Sequence, residues 1–177
     1  MSVGPVQRLD ARRPRPLRRL GFRRPRGPAR RVLLVCSPGG HLQQMLALEP
    51  AWRDREVTWV TLPGGDVEDL LAGRPHLLAH GPTNRSLRML ARNLPFAWRV
   101  LRDRDPDAIL STGAGVSVPF FWLGRLLGRR CVYVESLTRI DSVSLSGQLV
   151  YPFASEFFVQ WRGAQRGRRS RYVGSLL

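Results

Sequence analysis

Ser37-Pro38-Gly39-Gly40-His41 sets two glycines and a histidine at the end of a short apolar run, RVLLVC at 31–36, and at the start of a helix-like pattern. At such a joint, unpaired backbone N–H groups and the helix dipole favour an anion, and glycine lets the backbone approach a phosphate closely. A second stretch of this kind, Ser111-Thr112-Gly113-Ala114-Gly115, follows the run AILS at 108–111 and opens another helical segment. Two such helix starts at one edge of a sheet can hold two phosphates or one diphosphate, whereas each loop alone reads equally well as turn geometry. His41 is a candidate general base for a hydroxyl proton, or a histidine that hydrogen-bonds the loop. Glu135 and Arg139, in VESLTRID at 134–141, suit sugar hydroxyls or phosphate, or an ion pair that pins the loop. A dinucleotide fingerprint is not met, and the Gly-Lys pair of a P-loop is absent. Cys36 and Cys131 belong to no cysteine pair or Cys/His cluster, so the sequence predicts two buried thiols, no metal site, no disulfide and no cofactor.

The elements that must position these residues alternate along the chain. Strand-like runs fall at 31–36, 56–61, 76–80, 108–111, 130–135 and 156–160, with helical segments at 41–49, 65–73, 84–103, 115–127 and 144–153. This alternation predicts an α/β domain, a Rossmann-like doubly wound parallel sheet with helices on both faces. In such a sheet the ligand site lies outside the carboxyl ends of the strands, where both glycine loops fall.

The segment 84–103, NRSLRMLARNLPFAWRVLRD, repays a helical-wheel reading. At about 100° per residue Leu87, Leu90, Ala91, Leu94, Trp98 and Leu101 share one arc, the expected core stripe. Arg85, Arg88, Arg92, Arg99 and Arg102 fall opposite, beside Met89, Phe96 and Val100. Apolar side chains next to a row of arginines compose a membrane-surface helix, or a solvated basic face with a few stray apolar groups. Pro95 is expected to kink or split the helix.

Charge is unevenly spread over the 177 residues, whose net charge is +16. Residues 1–31 hold eleven arginines against Asp10, residues 162–171 add five arginines and no acid, and the body between is near neutral. Residues 1–30, rich in Arg and Pro, are expected to be a disordered tail, and 31–177 the folded domain. No run approaches the roughly 18 apolar residues of a membrane span, so the expectation is a cytoplasmic protein, peripheral on the inner face of the membrane.

Taken together the motifs resemble a known family. SPGGH at 37–41, PDAILSTGAGVSVP at 106–119, VYVESLTRID at 132–141, SLSGQLVYPFA at 144–154, FVQW at 158–161 and YVG at 172–174 are similar to the accessory, membrane-recruiting subunit of the two-subunit N-acetylglucosaminyltransferase acting on dolichol-linked sugar. The resemblance is closest to that subunit's bacterial counterparts in capsule and exopolysaccharide synthesis. It implies the N-terminal half of a split GT-B glycosyltransferase, with a separate donor-binding subunit, a UDP-sugar donor and a polyprenyl-diphosphate-linked acceptor. Length agrees with half of such an enzyme, and activity is expected only with the partner. By position, Gly39, Gly40, His41, Gly113 and Gly115 would lie by the acceptor diphosphate and Glu135 and Arg139 would line the cleft. Pro38 departs from the family's small polar residue and removes one N–H.

Two alternatives compete with this reading: a nucleic-acid-binding protein using the arginine-rich ends, and a stand-alone nucleotide-sugar enzyme. The first leaves both glycine loops unexplained, so no nucleic acid is expected. The C-terminal arginines Arg162, Arg166, Arg168, Arg169 and Arg171 read either as partner contact or as a flexible tail.

Overall fold

All six apolar runs form strands, and a seventh joins them. They are β1 (Arg31–Val35), β2 (Glu56–Thr61), β3 (His76–Leu78), β4 (Ala108–Ser111), β5 (Arg130–Val134), β6 (Glu156–Val159) and β7 (Ser170–Tyr172). The computed structural model describes residues 27–83 and 86–176, so most of the expected tail lies outside the described residues. Every strand pairing is parallel, in the order β3-β2-β1-β4-β5-β6-β7. The order reverses between β1 and β4, which lie side by side from Val32 against Ala108 to Val35 against Ser111. Both glycine loops therefore leave the sheet at one switch point, where doubly wound folds bind their ligands.

Helices cover both faces. Leu33 and Val35 of β1 pack with Ala97, Val100, Phe120 and Phe121, from α4 (Leu87–Arg104) and α5 (Ser117–Leu126), while Val32 and Leu34 pack with Leu42, Met45 and Trp52 from α1 (Gly40–Ala47) and α2 (Glu49–Trp52). Strands buried on both faces must be apolar throughout, which is why the runs were visible as runs. The remaining helices are short: α3 (Val67–Leu70), where a helix over 65–73 was expected, and α6 (Leu145–Val150), continued by a 3₁₀ turn at Tyr151–Phe153. β7 escaped the sequence reading because Ser170-Arg171-Tyr172 is brief and polar, as an edge strand is free to be.

The largest correction concerns α4, which is turned about its axis from the expected orientation. Its buried residues are Asn93, Ala97, Val100 and Leu101. Leu87 is 81% exposed and Trp98 40%, so much of the expected core stripe points outward. Val100 is fully buried, and Phe96 packs edge-on against the buried Phe120; neither belongs to an outward face. Asn93 supplies a physical reason. Its amide accepts from the His80 N–H (2.9 Å) and donates to the His80 carbonyl (2.8 Å), satisfying two backbone groups beyond β3. An apolarity wheel puts an asparagine outside and cannot register that demand. Pro95 does not split the helix: it sits on the exposed side, where water can meet the Ala91 carbonyl that the missing N–H leaves free. Arg85 lies outside the described residues.

Candidate functional site

His41 joins the two glycine loops. Its Nδ1 lies 2.8 Å from the Thr112 carbonyl oxygen, and the Thr112 hydroxyl donates to the His41 carbonyl at 2.7 Å. A carbonyl can only accept, so in the neutral ring Nδ1 carries the hydrogen and Nε2 keeps its lone pair. The Thr112 pairing thus leaves Nε2 as the nitrogen able to take a proton.

The loops use their backbones differently. Gly39 is the residue before α1, with φ of 74°, and it has no side chain to cap the helix. The N–H groups of Gly40, His41 and Leu42 consequently lack the partner that a serine or aspartate would supply, and the helix dipole adds to their pull on an anion. One N–H of this loop is taken: Gly39 donates to the Asp66 carboxylate at 2.6 Å. In the second loop Gly113 has φ of 125°, and its N–H donates to the Ser111 hydroxyl at 3.1 Å. The Ser117 and Val118 N–H groups close onto the carbonyls of Ala114 and Gly115. Glycine is required at 113 by that φ and by the His41 ring, whose Cε1 would stand 2.6 Å from an added Cβ. At 115 an added Cβ would meet the Thr83 carbonyl at 2.8 Å, so this glycine answers to chain packing.

Glu135 does not line a cleft. It is 1% exposed, and its carboxylate accepts from the N–H groups of Ser136 and Ser144, both at 2.9 Å, and from the Ser144 hydroxyl at 3.1 Å. The side chain spans the base of the 136–144 loop. Arg139 is exposed on that loop and makes no ion pair among the described residues, so the alternative of a Glu135–Arg139 pair is not realised either.

Four further residues organise the site. Asp66 holds Gly39, and Thr112 holds His41. Gln44, buried in α1, donates to the Gly40 carbonyl and accepts from the Leu137 N–H (3.0 Å) and from Gln160 Nε2 (2.7 Å). Gln160 also donates to the Glu135 carbonyl at 2.9 Å, so the first glycine loop, the 136–144 loop and the end of β6 form one network. Their spacing in sequence gave no signal, because, apart from the Gln44–Gly40 bond within α1, the partners lie 25 to 116 residues apart.

No group of three or more His, Cys, Asp or Glu suited to a metal occurs among the described residues. Burial pushes the Cys36 thiol up to about 12, with Asp66 adding to the effect, and pushes Cys131 up to about 12, so both stay protonated and inert.

On the outward side of α4, Leu87, Ala91, Pro95 and Trp98 stand exposed with Arg88, Arg92, Arg99 and Arg102. Met89 is only partly exposed. The mixture of apolar groups and arginines expected for this helix is present, but different apolar residues supply it. No described helix is long and apolar enough to cross a membrane.

Comparison with known proteins shows the family and the fold. A family model described as "Oligosaccharide biosynthesis protein Alg14 like" matches residues 83–176. The "UDP-N-acetylglucosamine transferase subunit ALG14" of Eremothecium gossypii is 34% identical over 184 aligned positions, covering 86% of this chain and 82% of the relative. The subunit of the same name from Schizosaccharomyces pombe is 30% identical over 171 positions, 81% of each chain, and that of Homo sapiens is 33% identical over 99 positions, 52% of this chain and 44% of the relative. Among solved structures, MurG of Acinetobacter baumannii superposes with a TM-score of 0.67 at 18% identity, over 81% of this chain and 45% of that one. A UDP-N-acetylglucosamine 2-epimerase from Rickettsia bellii gives 0.64 at 9% identity, over 84% and 45%. At these identities the likeness shows the fold, and the chain spans about half the length of either structure.

Proposed function

Because the chain belongs to the Alg14-like family of oligosaccharide biosynthesis proteins, we propose that it is the acceptor-binding, membrane-recruiting subunit of a two-subunit glycosyltransferase. In this reading a separate donor-binding subunit brings a UDP-sugar, N-acetylglucosamine or a related hexose, and the acceptor is a polyprenyl-diphosphate-linked sugar. The observation that carries the reading is the meeting of both glycine loops at the switch point with His41 between them. The uncapped start of α1 suits the acceptor diphosphate. His41 Nε2 takes the proton of the acceptor hydroxyl as its oxygen bonds to the donor's anomeric carbon and the UDP group departs.

Within this reading the roles divide among the loops and α4. The first loop offers the N–H groups of Gly40 and His41 to the anion, while Gly113 and Gly115 shape the wall against which His41 is held. Arg139, exposed and unpaired, faces outward for the acceptor or the partner, and Glu135 positions its loop from beneath. Membrane attachment is assigned to Leu87, Trp98, Arg88, Arg92 and Arg99 on α4, on the cytoplasmic face. The capsule or exopolysaccharide setting enters on the sequence resemblance alone, since the relatives named above are fungal and human.

The test is transfer of radiolabelled sugar from UDP-N-acetylglucosamine to membrane extract by this protein, by a candidate donor-binding subunit and by the two together. Activity in the mixture only is expected. Activity from this protein alone would overturn the proposal. For the membrane face, Trp98→Ser with Leu87→Ser should reduce flotation with anionic vesicles severalfold, and unchanged flotation would remove α4 from attachment.

A further inference from the structure

A second basic surface lies at the opposite edge of the sheet. A groove of about 610 Å³ runs along the amino ends of β4 to β7, between Arg125, Arg129 and Arg130 on one side and Arg168, Arg169 and Arg171 on the other. Its volume falls within the range of roughly 300–1,000 Å³ typical of small-ligand sites. Nothing in the proposed transfer uses it, because the glycine loops leave the sheet at its carboxyl edge.

The charges in the groove do not cancel. Asp107 is committed to the backbone N–H groups of Arg30 and Arg31 at 3.0 and 2.9 Å and to the Arg31 guanidinium. Glu156 is shared between Arg130 at 3.9 Å and Arg171 at 3.5 Å. Arg129 reaches Asp105 through its terminal nitrogen, and its Nε is buried with no hydrogen-bond partner among the described residues. Arg125, Arg168 and Arg169 are exposed and make no ion pair among the described residues. Three uncompensated guanidinium groups thus border a single concavity. Guanidinium forks match the paired oxygens of phosphate, and three uncompensated charges suit a ligand with two or three negative charges. A continuous nucleic-acid backbone fits less well, because Asp107 and Glu156 interrupt the basic lining.

We infer that this groove is a second anion site, separate from the glycine loops, which binds a phosphomonoester or diphosphate group. Such a group comes from a free phosphorylated small molecule or from an anionic lipid headgroup, and the chemistry of recognition is shared.

The experiment is titration of the ¹⁵N-labelled protein with inorganic pyrophosphate, following backbone amides at 154–156 and 168–171 separately from those at 39–41. Saturable shifts in the first set are expected, weakened at least tenfold by Arg168→Glu with Arg169→Glu. The control is Arg92→Glu with Arg99→Glu, the same charge change on α4, which should leave those shifts in place. Equal weakening by both double variants would overturn the site, since bulk charge would then explain the binding. So would an absence of shifts in the groove, or hexaglutamate binding as tightly as pyrophosphate. A parallel arm uses phosphatidylcholine vesicles containing phosphatidic acid, with Leu87→Ser and Trp98→Ser present in every protein compared so that α4 does not carry the binding. Loss of vesicle binding in the Arg168/Arg169 variant, with competition by pyrophosphate, assigns the lipid headgroup. Intact vesicle binding beside lost pyrophosphate binding assigns the free phosphate.

Discussion

The two glycine loops share a sequence plan, an apolar strand followed by a serine and then two glycines within four residues, yet their backbones do opposite things. After β1 the chain enters α1 without a side-chain cap, and the N–H groups of its first turn have no partner among the described residues, while Asp66 holds Gly39 just before it. After β4 the chain closes on itself through Ser111, Ala114 and Ser117, and its tight glycine makes room for the His41 ring. On the proposed reading, one loop receives the anion and the other fixes the histidine that takes the proton. A glycine motif therefore marks two different needs, and only the atoms facing each glycine tell which.

The sharpest way to break this contrast is His41→Asn, whose side-chain amide can still donate to the Thr112 carbonyl but offers no basic nitrogen. Transfer by the assembled enzyme should fall about a hundredfold, the scale of a lost general base. Near-normal transfer by His41→Asn, with loss in His41→Ala, would make His41 a tether alone. Next in size is Gly113→Ala, which meets both an unfavourable φ and the imidazole ring. A stability loss of about 1–3 kcal/mol in urea denaturation is expected, with reduced transfer as His41 is displaced. An unchanged urea midpoint would mean that the ring moves freely and does not pin the loop.

Asp66→Asn probes the first loop directly. It keeps an oxygen for the Gly39 N–H and removes a negative charge beside the anion position, so the acceptor KM should fall about threefold, the scale of one exposed charge interaction, with kcat unchanged. A raised KM would show instead that the carboxylate holds the loop in its binding shape. The smallest effect is expected from Gly40→Ala. No atom lies within 4 Å of its added Cβ. Helix propensity should raise stability by about 0.5 kcal/mol. A destabilised variant would place unseen crowding in the loop described as open.

Sequence legibility followed the range of the interactions. The strands stood out because burial on both faces forces continuous apolar runs, and β1 and β4 were located almost to the residue. Gly39, Gly40 and His41 stood out because helix starts have local chemistry. Asp66, Gln44 and Gln160 did not, since each acts on a partner far away in the chain. Glu135 looked like a cleft residue because a carboxylate at a strand end is normally solvated. Here three donors from Ser136 and Ser144 replace water. Phe96 and Val100 were assigned to the outward side of α4 because periodicity gives the spacing of a helix's faces and not which apolar face wins the core.

By itself, then, the amino-acid sequence determined the α/β alternation, the loops that end β1 and β4, the inert cysteines and the concentration of arginine toward the two ends. These depend on neighbours a few residues apart, where backbone geometry and side-chain polarity act directly. Tertiary structure alone decided that β1 and β4 are adjacent, that Thr112 orients His41, that α4 turns Trp98 outward and Asn93 inward, and that six arginines from α5 through β7 border one groove. Each of those outcomes satisfies backbone and charged groups brought together from distant parts of the chain, and such a demand exists only once the sheet has formed.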